Sequence, residues 1–147
     1  MDGIFLNSTM KLSVIIPIYN EAATCTQLIE RVKSVPIQKQ IIVVDINEEA
    51  LNLAIEFGAT SIINAVKQDP VEKIHWLTDG RGAERVIITT GNKNAIETAI
   101  ECAAIPAECF QVGVPVVGEK ICIDGHALMH KRNLRGTLGG GTLPDRD

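Results

Sequence analysis

The sequence predicts a doubly wound α/β domain built on a parallel sheet, and three observations carry that expectation. Short apolar runs rich in Val and Ile recur at LSVIIPIY (12–19), QIIVVD (40–45), SIIN (61–64), VIITT (86–90) and ECFQVGV (108–114). Between them lie segments of roughly 10–15 residues with apolar positions at helical spacing. Aromatic residues make up only 3% of the 147-residue chain, so Ile, Val, Leu and Ala must build the core. That is the composition of strands buried on both faces, joined by right-handed helical crossovers.

Each element has a local reason. Pro17 has no N–H to give a ladder, so pairing of the first strand is expected to fade near Ile16. Ala22, Cys25, Leu28, Ile29 and Val32 mark the inner face of a helix from Glu21 to Val35, which Pro36 ends. Asn47 suits the N-cap of a helix over 48–57, with Ala50, Leu51, Leu53, Ala54 and Phe57 turned inward and Gly58 as its stop. Pro70 opens a helix reaching about Thr78. DGRG (79–82) reads as a turn whose two glycines take positive φ. A helix from Asn94 to Ala104, a strand KICID (120–124), a helical ALMHKR (127–132) and a final strand LRGTL (134–138) complete the pattern. Residues 1–10 read as a leader, 11–138 as one domain and 139–147 as a flexible tail.

The charge balance narrows the partners. Eighteen acidic against 14 basic residues give a net charge of −4 with no basic run, which argues against nucleic acid. No apolar run approaches the ~20 residues of a membrane span. The opening MDGIFLNSTMKL lacks the basic and apolar regions of a signal peptide, so a cytoplasmic setting is expected. Cys25, Cys102, Cys109 and Cys122 are widely spaced without a C-x-x-C, as expected of buried apolar residues in a reducing compartment. His126 and His130 stand at i, i+4 in HALMH, but Ala127 occupies the place where a metalloprotease helix carries Glu. No metal is expected, and no nucleophile–base arrangement is readable.

In such folds ligands bind beyond the carboxyl ends of the strands. Those ends are Tyr19-Asn20, Asp45, Asn64, Thr90-Gly91 and Gly113-Val114. The first strand–helix junction, Pro17 to Ala22, contains no glycine where a dinucleotide-binding turn would read G-x-G-x-x-G. Glu21 would also place an anion where the free N–H groups of the helix could hold phosphate.

Two resemblances follow from particular strings. VVDINEEALNLAIEFGAT, LTDGRGAERVI, TTGNKNAIETAIECAA, QVGVP, IDGHALMHKR and LRGTLGG resemble, in order over about residues 41–147, the coenzyme-binding domain of zinc-type, medium-chain alcohol dehydrogenases. KLSVIIPIYNEAAT, LIERV and IIVVD, over about residues 11–45, are similar to the opening of family 2 glycosyltransferases. IIVVD suits either family, so the chain reads as a chimera joined at that strand.

The first resemblance implies a Rossmann-like three-layer fold with NAD as its cofactor, bound weakly at most without the glycine turn. It implies that Asp45 meets the adenosine ribose, that Thr90, Gly91, Val112, Gly113 and Val114 run beneath the nicotinamide, and that Leu138-Gly139-Gly140 back its amide. It places the zinc-bearing catalytic domain outside this chain, which leaves no complete catalytic site. It also implies a homo-oligomer formed through the late edge stretches 120–124 and 134–138. The second resemblance turns Asp45 toward a uracil and gives Pro17, Tyr19 and Glu21 a uridine pocket, with Tyr19 and Asn20 as nucleotide contacts. Its metal-binding D-x-D is matched only by Asp145-Arg146-Asp147, at the wrong place. Three readings stand at this point: a weak NAD domain, a nucleotide-sugar binder, or a recombined domain without a ligand.

Overall fold

The computed structural model describes residues 12–17, 29–36 and 38–137. The expected leader, most of the helix proposed over 21–35, Tyr19, Asn20, Glu21, Cys25, Leu138 and the tail lie outside the described residues. Within them the chain runs β1 (Leu12–Pro17), the helical residues 29–34 as α1, β2 (Lys39–Asp45), α2 (Glu48–Glu56), β3 (Ser61–Asn64) and α3 (Pro70–Leu77). It continues through β4 (Ala83–Ile88), α4 (Lys93–Glu101), β5 (Ala103–Gln111), α5 (Gly125–Met129) and β6 (Arg132–Gly136). All six strands form one parallel sheet in the order β3-β2-β1-β4-β5-β6. The order reverses beside β1, and this is the dinucleotide-fold arrangement with its crevice at the β1/β4 switch.

Both faces of the sheet are covered. Successive side chains of a strand point to opposite faces. Ile15 and Ile42 join Val86, Ile88, Ile74 of α3 and Ile96, Ala99 and Ile100 of α4 in the larger apolar cluster. Val14, Ile41 and Val43 face the other way, with Ile29 of α1 and Leu51 and Ala54 of α2. The ends of α2 are set locally. The Asn47 side chain accepts from the N–H groups of Glu49 and Ala50, and Gly58 leaves the helix at φ 106°. Lys33 fills the space beside that glycine and donates to the Phe57 carbonyl at 3.1 Å.

Several expected boundaries move. On the β2 side β1 pairs through Pro17, opposite Val44, while on the β4 side its pairing ends at Ile15, opposite Val86, so the expected fading near Ile16 holds on one side of the strand and not on the other. β4 begins at Ala83 rather than Val86, because Gly80 and Gly82 take positive φ and Thr78 Oγ1 accepts from the Gly82 N–H, which delivers the chain early. α4 stops at Glu101, and β5 starts at Ala103 instead of Glu108. A Cβ on Gly82 would lie 2.8 Å from the Ala104 nitrogen, so the close passage of the 78–82 turn claims these alanines for the sheet. Pro106 then falls in a register shift between β4 and β5, where its missing N–H breaks no regular ladder.

KICID (120–124) is not a strand. Ile121 and Ile123 are half-buried against the core, but β6 already occupies the outer side of β5. The Cys122 N–H is instead taken by Glu97 Oε1 of α4 at 2.6 Å. Cys122 is exposed, against the expectation of burial, while Cys102 and Cys109 are buried as expected. The helix read over 127–132 begins earlier, at Gly125, because Asp124 caps it by accepting from the His126 N–H at 2.9 Å. β6 likewise starts at Arg132, two residues before the predicted Leu134.

Candidate functional site

Three buried polar residues stand at or just beyond the carboxyl ends of β2, β3 and β4: Asp45, Asn64 and Thr90. Each turns the chain toward the helix that follows. Asp45 Oδ1 accepts from the N–H groups of Ile46 at 2.6 Å and Asn47 at 2.8 Å. Asn64 Oδ1 accepts from Val66 N–H at 2.9 Å, and Thr90 Oγ1 from Asn92 N–H at 3.0 Å. Asn92 in turn caps α4 by accepting from Ala95 N–H.

Above these turns lies a cleft of about 230 Å³ at the β1/β4 switch. Ile15, Val44, Ile46, Ala65 and Pro70 give it an apolar wall, and Asn94, Ala95 and Thr98 of α4 line the other side. Asp45 and Thr90 are its polar groups from the sheet. A mostly apolar cleft with a buried carboxylate in its lining can take a purine face and accept from a ribose hydroxyl. By that test the residues present fit the adenosine end of a dinucleotide.

The other expected contacts adjoin the cleft at Thr90 without being among its lining residues. Val112 and Gly113 both donate to the Ile88 carbonyl, at 2.9 and 3.0 Å, as β5 ends against β4. A Cβ on Gly91 would lie 2.1 Å from the Val114 oxygen, and one on Gly113 would lie 2.3 Å from the Thr89 oxygen. Both glycines are therefore demanded by the meeting of two backbone segments. Val114 is 73% exposed beyond them. The structure thus brings Asp45 and Thr90 into one cleft lining and gathers Gly91, Val112, Gly113 and Val114 directly beside Thr90.

Sequence reasoning missed the α4 side of the cleft. The signal was present as Asn94, Thr98 and Cys102, four residues apart on one helix face. It also missed Gln111, whose side-chain amide donates to the Thr90 carbonyl at 2.9 Å and the Gly113 carbonyl at 2.6 Å. Nothing in the local string announces that bridge. Burial pushes the Cys102 thiol at the foot of the cleft up to about 12, with Asp69 and Glu101 adding to the effect. It serves as apolar lining there, not as a nucleophile.

Residues 35–146 match the family described as zinc-binding dehydrogenase, a span that takes in β2 to β6 and leaves out β1 and α1. The chain belongs to the zinc-binding dehydrogenase family. It is an alcohol-dehydrogenase-type coenzyme-binding domain by fold and by sequence. Among curated relatives, L-threonine 3-dehydrogenase of Symbiobacterium thermophilum is 34% identical over 113 residues, 74% of this chain and 32% of that protein. L-threonine 3-dehydrogenase of Bacillus licheniformis is 36% identical over 85 residues, 58% of this chain and 24% of that protein. Benzyl alcohol dehydrogenase from Acinetobacter calcoaceticus superposes with a TM-score of 0.79 at 28% identity, over 92% of this chain and 36% of that one. An alcohol dehydrogenase zinc-binding domain protein from Burkholderia ambifaria gives 0.80 at 26% identity, over 94% and 36%. This zinc-binding dehydrogenase chain therefore spans about a quarter to a third of the length of the relatives it matches.

Among the described residues of this family member no three His, Cys, Asp or Glu side chains gather as a metal site. No described helix is long and apolar enough to cross a membrane.

Proposed function

We propose that residues 11–138 form a single nucleotide-binding domain that holds the adenosine half of NAD, weakly, and completes no catalytic site by itself. The observation that carries this reading is Asp45 in the lining of the apolar cleft at the β1/β4 switch. NAD, when bound, supplies hydride chemistry. This chain's part is to seat the adenine between Ile46, Ala65 and α4 and to accept from the ribose at Asp45. Thr90, Gly91 and the Val112–Val114 turn would back the nicotinamide half.

The pyrophosphate between these two places is where affinity is lost. The sequence from Pro17 to Ala22 contains no glycine and carries the acidic Glu21, which would disfavour a phosphate held there. Each missing charge-assisted hydrogen bond weakens binding by about 1.5–3 kcal/mol, roughly ten- to a hundredfold. NAD is then held hardly better than adenosine. A second reading rests on the P-x-Y-N-E string that starts at Pro17, the last residue of β1: the first βαβ unit descends from a glycosyltransferase and its junction prefers UDP or a UDP-sugar. Free Cys102, Cys109 and Cys122 support a reducing, cytoplasmic setting.

The test is a titration of the chain with adenosine, NAD and UDP, followed by chemical-shift changes. The reading expects adenosine and NAD to move the signals of Asp45 and α4 with similar, high micromolar to millimolar constants. Replacing Pro17 to Ala22 by a G-x-G-x-x-G turn should tighten NAD and leave adenosine unchanged. Sub-micromolar NAD binding by the natural junction would overturn it, and preferential UDP binding would establish the second reading.

A further inference from the structure

On the coenzyme reading given above, we propose that Gln111 is a positioning residue of the site: its side-chain amide holds the turn after β4 against the turn after β5 and so fixes the backbone surface on which the nicotinamide half rests. Its Nε2 donates to the Thr90 carbonyl at 2.9 Å and to the Gly113 carbonyl at 2.6 Å. Two carbonyl oxygens can be met only by the NH2 end of an amide, so the side chain has one orientation. Its backbone carbonyl accepts from the Thr137 N–H at 3.0 Å, where β6 ends. One residue therefore ties the ends of three neighbouring strands.

The bridge supplies what the ladder does not. As β5 ends, the N–H groups of Val112 and Gly113 both go to the Ile88 carbonyl, which secures the N–H side of the turn. The Gln111 amide secures the carbonyl side. Without its two hydrogens, the Thr90 and Gly113 oxygens would present lone pairs to one gap, and the turns would part or admit water.

Stability alone does not account for an amide here. Its Oε1 is buried and has no hydrogen-bond partner among the described residues. An acceptor left unmade offsets much of what two hydrogen bonds contribute, so the arrangement fixes position more than it stabilises. With both carbonyls engaged, the surface left beside them is that of Val112 and Val114, 45% and 73% exposed. An apolar surface of that kind suits the flat face of a pyridine ring.

The test is an NMR titration of the whole chain with NAD and with adenosine, in the natural sequence and in Gln111→Met, which keeps the length and loses both donors. In the natural chain NAD is expected to shift the backbone signals of Gly113 and Val114 as well as those of Asp45 and α4, and adenosine to shift Asp45 and α4 alone. In Gln111→Met the shifts at Gly113 and Val114 should be lost. The adenosine constant should stay as it was, because the Thr90 hydroxyl keeps its own bond from the Asn92 N–H. A merely structural role would weaken adenosine too, since Thr90 lines its cleft. NAD shifts at Gly113 and Val114 that persist in Gln111→Met, or that never arise in the natural chain, would overturn the proposal and leave the adenosine reading standing. No shift at Asp45 with either probe would overturn the coenzyme reading, and this role with it. Where Gln111→Met does not fold, the Gln111 side-chain NH2 signals of the natural chain decide: NAD should shift them further than adenosine does, and equal shifts would refute the positioning role.

Discussion

The side-chain amide of Gln111 donates to the carbonyl of Thr90 at 2.9 Å, tying the end of β5 to the end of β4 beside the cleft. Its own Oε1 is buried without a hydrogen-bond partner. Gln111→Met removes the donor and this orphan acceptor together and should cost about 1 kcal/mol. Gln111→Glu brings a carboxylate against two carbonyl oxygens and should cost about 3 kcal/mol at pH 7.5. Urea unfolding of the two variants checks the order.

Gly113→Ala should destabilise by about 2–3 kcal/mol, since neither backbone can move without breaking the Ile88 carbonyl's two hydrogen bonds. Gly125→Ala is the control. Nothing lies within 4 Å of its added Cβ, so its unfolding midpoint should stay near that of the natural chain.

Asp45 has two roles that substitution can separate. Asp45→Asn keeps an oxygen for the Ile46 and Asn47 N–H groups, so stability should change little while adenosine affinity falls about tenfold. Asp45→Ala should lose both, with about 1–3 kcal/mol of stability gone. Paired urea melts and adenosine titrations read the two effects independently.

Burial holds the Cys102 thiol at about 12 and the Cys109 thiol at about 11, above the ordinary 9.0. Below pH 9 each is protonated folded or unfolded, so neither makes stability vary with pH. Between pH 9 and about 11–12 the unfolded thiols ionise and the folded ones do not. Stability should therefore fall as pH rises, by about 1 kcal/mol per unit for Cys102. Cys102→Ala should flatten that fall in urea melts from pH 8 to 10.5. At pH 8, of the described cysteines only Cys122 should react quickly with a thiol reagent.

β6 is the sheet's edge, and its arginines are turned toward β5, so they do not guard the open side against pairing. A second copy is expected to pair there, giving at least twice the mass of one chain by light scattering at high micromolar concentration. A monomeric mass would refute this.

The first half of the sheet was legible because IIVVD and SIIN are continuous apolar runs bounded by caps that act as read: Asn47, Gly58 and Pro70. Asp45 was legible as the polar residue closing such a run. The second half was harder. Ala103 and Ala104 read as helix, and only the close passage of Gly82 puts them in a strand. KICID misled in the other direction, because alternation reports which residues face the core and says nothing of whether a ladder partner remains. Gln111 was invisible because its role depends on where its side chain points in space.

β1 lies at the middle of the sheet, flanked by β2 and β4, yet it is made long before its second neighbour. As the polypeptide leaves the ribosome, Val14 can meet Ile41 early but must wait for Arg85. Until then the future centre of the sheet is a bare rim on a half-built nascent domain. That rim is where a chaperone would need to act and where a stalled chain would aggregate.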